Sequence, residues 1–138
     1  MCGIAGFVGK GDEGALERMR DTLVHRGPDD TGTWMSGRVG FAHTRLSIVD
    51  LTSAGHQPMH SGSGNITIVF NGEIYNFREL RKELESLGRI FKSESDTEVI
   101  LELFEVYGEK SFERLQGMFA FALYDKKKET LYLVRDRM

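Results

Sequence analysis

The sequence predicts an α+β fold in which two stacked sheets carry helices on their outer faces, and three observations predict it. Strand-like runs flank a central pair of segments with the 3.6-residue period of amphipathic helices. One of those runs, GMFAFALYD, is apolar on both sides, with Met118, Ala120 and Ala122 facing one way and Phe119, Phe121 and Leu123 the other. Such a strand must be covered on both faces, which a second sheet and a helix layer provide. Finally, the 138 residues contain no linker, repeat or low-complexity tract, so residues 1–138 read as one domain.

The elements follow in order. CGIAGFVG is a short apolar stretch between glycines and reads as a strand. DEGALERMRDTLVHR places Leu16, Met19 and Leu23 at helical spacing, and HRGPDDTG breaks that helix with Gly27, Pro28 and two aspartates. GTWMS and VGFAHTRLSIV form a strand pair turning at Gly37–Arg38, the second strand running to Val49. A loop rich in Gly, Ser and Pro extends from about Asp50 to Gly64. NITIVF is a β-branched strand ending at Phe70.

NFRELRKELESLG has a helical stripe of Phe77, Leu80, Leu84 and Leu87, Asn76 as its cap and Gly88 as its stop. Its wet face offers Arg81 to Glu85 at i, i+4. SESDTEVILELFEVYG repeats the logic, with Val99, Ile100, Leu103, Phe104 and Tyr107 facing inward and a capping box between Ser95 and Glu98. GMFAFALYD and TLYLVRD close a hairpin around KKKE.

Composition narrows the function classes. Hydrophobic residues make up 40% and charged residues 28%, the balance of a globular chain, and a net charge of −3 argues against nucleic acid or an anionic membrane as partner. No run approaches the ~18 apolar residues of a membrane-spanning helix. IAGFV is too short for a signal-peptide core. The single cysteine, Cys2, cannot form an internal disulfide, so a reducing cytoplasm is the expected compartment. No metal site is expected, because Pro58 between His56 and His60 breaks the helix their spacing would need.

Cys2 itself poses a chemical question. A thiol attacks as thiolate, and a reference pKa of about 8.5 leaves little of that at neutral pH without a base. Removal of Met1 would give Cys2 a free α-amine, whose reference pKa of about 7.7–8.0 suits it to accept a proton. A nucleophile can be activated by its own terminal amine. By residue type alone, Cys2 is equally a small buried hydrophobe opening a strand.

MCGIAGF, HRGPDDTG, HTRLSIVDL, GHQPM, FNGEIYN, SDTEVIL, GMFAFALYD and RDRM resemble, in this order, the motifs of the N-terminal glutaminase domain of glutamine-hydrolysing asparagine synthetases. That domain is a class II glutamine amidotransferase, one of the N-terminal-nucleophile hydrolases. The resemblance implies a four-layer αββα sandwich of two largely antiparallel sheets, truncated here at its C-terminus. It also implies hydrolysis of the glutamine side-chain amide, with release of ammonia for transfer and Cys2 as nucleophile.

Each motif has a physical reading beside the one implied. In FNGEIYN, a tetrahedral oxyanion needs preorganised donors, and Asn71 offers a side-chain N–H while Gly72 offers a backbone N–H with no Cβ in the way. The resemblance assigns both to the oxyanion hole; the alternative is that Asn-Gly marks a hairpin turn. In HTRLSIVD, the planar guanidinium of Arg45 suits the α-carboxylate of glutamine, and the resemblance adds backbone groups through Val49 to the pocket. The alternative is a strand arginine paired with an acid. In SDTEVIL, the resemblance gives Asp96 the substrate's α-ammonium, though an aspartate there is also a helix cap and dipole partner. Glu73 is a lesser candidate for the same ammonium. Arg26 in HRGPDD either positions the terminal amine and shapes the site or simply belongs to a turn. His43, Trp34 and the methionines read as packing.

The glutaminase step implied here takes L-glutamine and needs no cofactor. ATP and Mg²⁺ are expected only in a C-terminal synthetase domain, which this sequence does not contain, since no Ser-Gly-Gly-type pyrophosphate loop occurs in it. Three readings stay open: the glutaminase domain of an asparagine synthetase-like enzyme, that of another class II amidotransferase with a different ammonia acceptor, and an inactive fragment with Met1 retained. A truncated sheet with an apolar edge is also expected to favour a homo-oligomer.

Overall fold

The structure, a computed structural model, describes residues 1–137. Among these residues, seven strands form two antiparallel sheets. The first contains β1 (Gly3–Val8), β2 (Asp30–Ser36) and β3 (Val39–Arg45), in the order β1-β3-β2. The second contains β4 (Met59–His60), β5 (Ile66–Ile74), β6 (Gly117–Asp125) and β7 (Thr130–Arg135), in that order. Helix α1 (Glu13–Thr22) covers the outer face of the first sheet through Leu16, which is fully buried. Helices α2 (Phe77–Ser86) and α3 (Asp96–Tyr107) cover the outer face of the second. The result is the four-layer αββα sandwich.

Two apolar clusters hold the layers. Phe119, Phe121 and Leu123 of β6 point outward beneath Leu80, Leu84, Val99, Ile100 and Leu103 of α2 and α3. Ala122, on the opposite face of β6, meets Val39 and Phe41 of β3 and Val69 of β5 between the sheets, where Trp34 packs beside Phe41 and Tyr124. The two-sided apolar pattern of β6 is thus satisfied by a helix layer on one face and a sheet on the other. Arg81 and Glu85 pair at 3.0 Å, and Gly88, at φ +89°, ends α2 while the Arg89 N–H bonds back to the Leu84 carbonyl.

Several local expectations need correction. β3 stops at Arg45 rather than Val49, because Asp29 turns the chain away: its carboxylate accepts the Ser47 N–H and its own N–H donates to the Arg45 carbonyl. β5 continues past Phe70 to Ile74, since β6 pairs with it along the whole of that length. The Asp50–Gly64 loop contains the short strand β4 and one turn of 3₁₀ helix at Ser53–Gly55. Asn76 sits at the start of α2 without capping it; its side chain instead bonds Gln116 N–H and the Arg114 carbonyl. Ser95 does cap α3, but Glu98 reaches past it to the Lys92 and Ser93 N–H groups, so the box is half formed. Tyr107 is partly exposed, its hydroxyl drawn out to Glu83, and Leu101 takes a buried place instead. β1 and β7 are edge strands, and Val8 and Leu133 on them are exposed.

Candidate active site

At one end of the sandwich, the start of β1, the end of β3, the outer edge of β5 and the start of α3 converge on a cleft. Cys2, Arg45, Val49, Asn71, Gly72, Glu73 and Asp96 all line it. Positions spread over almost a hundred residues are brought together because β1 and β3 are neighbours and α3 docks on the edge of β5. Arg26 is the exception. It does not line the cleft but lies behind it, donating from Nε to the Cys2 carbonyl at 3.1 Å.

The nucleophile candidate is held on three sides. The Leu46 N–H donates to Cys2 Sγ at 3.3 Å, Arg26 holds the Cys2 carbonyl, and the next N–H, that of Gly3, donates to Thr44 Oγ1 at 3.1 Å. Thr44 is fully buried and in turn donates to the Leu23 carbonyl, fixing the start of β1 against β3. No alternating pattern marks Thr44 for this task; its partners lie far away in sequence.

Asn71 and Gly72 lie inside β5, opposite Ala120 and Phe119 of β6, so the hairpin-turn reading is wrong. Gly72 has φ +147°, and a Cβ there would stand 2.1 Å from the Met118 carbonyl, so only glycine lets the two strands pair. Antiparallel pairing sends alternate N–H groups to opposite edges of a strand. The Phe70 N–H donates to Gln57 Oε1 at 2.6 Å and the Ile74 N–H donates to Asp96 Oδ2 at 3.0 Å, both away from β6. The Gly72 N–H falls between them on that edge, over the cleft. The Asn71 Oδ1 is buried with no hydrogen-bond partner among the described residues.

Asp96 is 4% exposed, and no basic side chain among the described residues pairs with it. Burial pushes its carboxyl above the usual carboxylate range, and the negative charge of Glu73 adds to the push; the Ile74 N–H works against it. A buried carboxylate in this position would gain from a cation entering the cleft. Glu73 is exposed at its rim.

Arg45 is buried, and its guanidinium is pinned by donating to the Thr52 carbonyl at 2.7 Å and to the Asp50 carbonyl. No carboxylate among the described residues forms a salt bridge with Arg45, so the paired-arginine reading is not met. Two of its five N–H groups are spent on carbonyls, which orients the fork and leaves the others to a ligand. Gly55 leaves room for it: a Cβ there would stand 2.1 Å from Nη2 and would displace the guanidinium. The Asp50 carboxylate draws the Thr52 and Glu94 N–H groups together, tying the Arg45 loop to the approach of α3. The hydrogen bonds from Thr52 and Glu94, with Arg45 nearby, hold this carboxyl below its usual range against the opposing effect of burial. His43 Nε2 faces the Phe70 carbonyl at 3.1 Å, and burial lowers its pKa to about 4. A neutral ring facing a carbonyl must be the donor. His56 and His60 go separate ways, to Asp30 and Thr67.

The whole of the chain, residues 1–138, matches the sequence pattern of the family described as the glutamine amidotransferase domain. The chain belongs to that family. As a family member it is 42% identical to asparagine synthetase [glutamine-hydrolyzing] 3 of Bacillus subtilis, over 100% of this chain and 24% of the relative. It is 42% identical to asparagine synthetase [glutamine-hydrolyzing] 1 of the same organism, over 99% of this chain and 22% of the relative. Among solved structures it is similar to the glutamine phosphoribosylpyrophosphate amidotransferase of B. subtilis, with a TM-score of 0.61 and 26% identity over 74% of this chain and 24% of that one. This amidotransferase domain spans about a quarter of the length of the curated relatives it matches. None of its helices, among the described residues, is long and apolar enough to cross a membrane.

Proposed function

We propose that this chain is the glutaminase domain of an asparagine synthetase-like enzyme, hydrolysing L-glutamine to glutamate and ammonia. The observation that carries the reading is the cleft itself, lined by Cys2, Gly72 and the buried carboxylate of Asp96, which accepts the Ile74 N–H but meets no basic side chain among the described residues. The remaining N–H groups of Arg45 receive the α-carboxylate of glutamine and Asp96 receives its α-ammonium, with Glu73 adding negative charge at the rim and Val49 closing the pocket wall. These contacts aim the side-chain amide at Cys2.

The chemistry then runs on this chain's own groups. With Met1 removed, the Cys2 α-amine takes the thiol proton and the sulfur forms a bond to the amide carbon. The carbonyl electrons move onto oxygen, where the Asn71 side-chain N–H and the Gly72 backbone N–H hold the oxyanion. As it collapses, the C–N bond breaks and the α-ammonium returns its proton to the leaving nitrogen, which departs as ammonia. Water, deprotonated by the same amine, bonds to the thioester carbon; as the C–S bond breaks, the ammonium returns that proton to the sulfur and glutamate leaves. Arg26 keeps the Cys2 carbonyl, and so the amine, in place.

No metal or organic cofactor enters these steps. The acceptor of the ammonia is assigned to a synthetase domain beyond this sequence, where ATP and Mg²⁺ act. The names and the fourfold greater length of the B. subtilis relatives support that assignment. A glutamine-mimicking electrophile should add one equivalent of mass at Cys2 in a chain that begins at Cys2, and Cys2→Ala should release no ammonia. Undiminished glutamine hydrolysis by purified Cys2→Ala would refute the reading.

A further inference from the structure

The register of β4 against β5 pairs Met59 with Ile68 and His60 with Thr67. Continued, it would bring Gln57 opposite Phe70, where the backbone ladder has already ended. The side chain of Gln57 takes over. It is 5% exposed, its Oε1 accepts the Phe70 N–H at 2.6 Å, and its Nε2 donates to Thr97 Oγ1 at 3.3 Å. The orientation of the amide is fixed, because a backbone N–H only donates and so must face the oxygen. Thr97 is the neighbour of Asp96, whose carboxylate returns to β5 at the Ile74 N–H. A closed bracket therefore runs from Phe70 through Gln57, Thr97 and Asp96 to Ile74, and the Gly72 N–H stands in its opening.

We infer that Gln57 is a positioning residue for both halves of the site: it docks the start of α3 on the edge of β5, and so sets Asp96 and the Asn71–Gly72 donors at one spacing. This rests on the glutaminase reading above. The bracket leaves a single N–H on that edge for a ligand, since its neighbours on either side are already bound. Loosening it moves the oxyanion donors relative to the ammonium site, and small misplacements of this kind lower the rate of the chemical step.

The test is a kinetic cycle on the chain beginning at Cys2. Gln57→Met keeps length and volume but removes both arms; it should lower kcat about 10- to 100-fold and raise KM. In an Asn71→Ala background the same change should cost clearly less, because the donor it positions is already gone. Thr97→Val removes only the α3 arm and should raise KM about tenfold with a smaller effect on kcat. Melting curves give the folded fraction of every variant, so that rates refer to folded enzyme. Losses from Gln57→Met and Asn71→Ala that multiply in full, or wild-type constants in Gln57→Met, would overturn the inference while leaving the glutaminase reading standing. If Gln57→Met does not fold, an unchanged KM in Thr97→Val overturns it. A wild-type chain that begins at Cys2 and releases no ammonia overturns both.

Discussion

The Leu46 N–H donates to the Cys2 sulfur at 3.3 Å, while the Leu46 carbonyl lies 3.7 Å from the same atom. One residue just past the end of β3 thus holds the thiol beside Arg45, so the proposed nucleophile and the residue proposed to grip the substrate share a short piece of backbone. Cys2→Ser preserves a group that can bond both atoms. It should bind glutamine with a KM near that of the unsubstituted enzyme and lose turnover by more than about 10³-fold, since a hydroxyl is far harder to ionise than a thiol. Steady-state kinetics check this; retention of most activity in Cys2→Ser would count against a thioester.

Asn71→Ala removes one of the two proposed oxyanion donors and leaves the other on the strand edge. The expected result is a fall in kcat of about 10²- to 10³-fold with a modest change in KM, the usual cost of losing such a donor. A change confined to KM would move Asn71 from the chemistry to ground-state binding.

Asp96→Asn keeps an acceptor for the Ile74 N–H and removes the charge. It should raise KM more than it lowers kcat, because the ammonium of glutamine is charged in ground and transition states alike. It should also change stability with a definite sign. Burial raises the Asp96 pKa above its unfolded value, so the folded state holds the proton more tightly and stability falls as pH rises between the two values. The ionised carboxylate therefore opposes folding at neutral pH, and Asp96→Asn should melt higher than wild type at pH 7. The gap should close as pH falls below the unfolded pKa. Thermal melts across about pH 3–8 measure it directly.

His43 works in the opposite direction. Its pKa is lowered from 6.5 to about 4, so the unfolded chain binds the proton first. Stability contributed by the neutral ring is intact above pH ~6.5 and lost as pH falls towards ~4, on the order of 3 kcal/mol in all. His43→Gln can still donate to the Phe70 carbonyl, and its unfolding free energy should be flatter over that interval. Parallel slopes for the two proteins in denaturant titrations would show that His43 does not govern the acid limb.

What the sequence made legible was whatever it wrote locally. The alternation in GMFAFALYD, the stripe of Phe77, Leu80 and Leu84, and the Gly88 stop each sit within one element where the pattern placed it, whereas Leu87, expected in the same stripe, caps the end of α2 and is exposed. The candidate residues Cys2, Arg45, Val49, Asn71, Gly72, Glu73 and Asp96 came from ordered motifs, and the fold brings them to one cleft. The residues that hold them in place left no such trace. Gln57 reaches across 13 and 40 positions to Phe70 and Thr97, Thr44 across 41 to Gly3, and Asp50 across 44 to Glu94. A polar side chain whose partner is that distant has no period to betray it, because its bond exists only once the sheets have formed. The same reason explains Asn76, which looked like a local cap and instead serves Arg114 and Gln116.

The central claim is that the Cys2 amine is the base. Met1 lines the cleft, and with it attached the Cys2 nitrogen belongs to a planar amide with no basic lone pair to take the thiol proton. The most direct test compares initial rates of ammonia release from glutamine by two preparations of the same chain, one beginning at Met1 and the other at Cys2, each verified by intact mass. The account predicts steady release from the chain that begins at Cys2 and none above background from the chain that retains Met1. Equal rates from the two would contradict it.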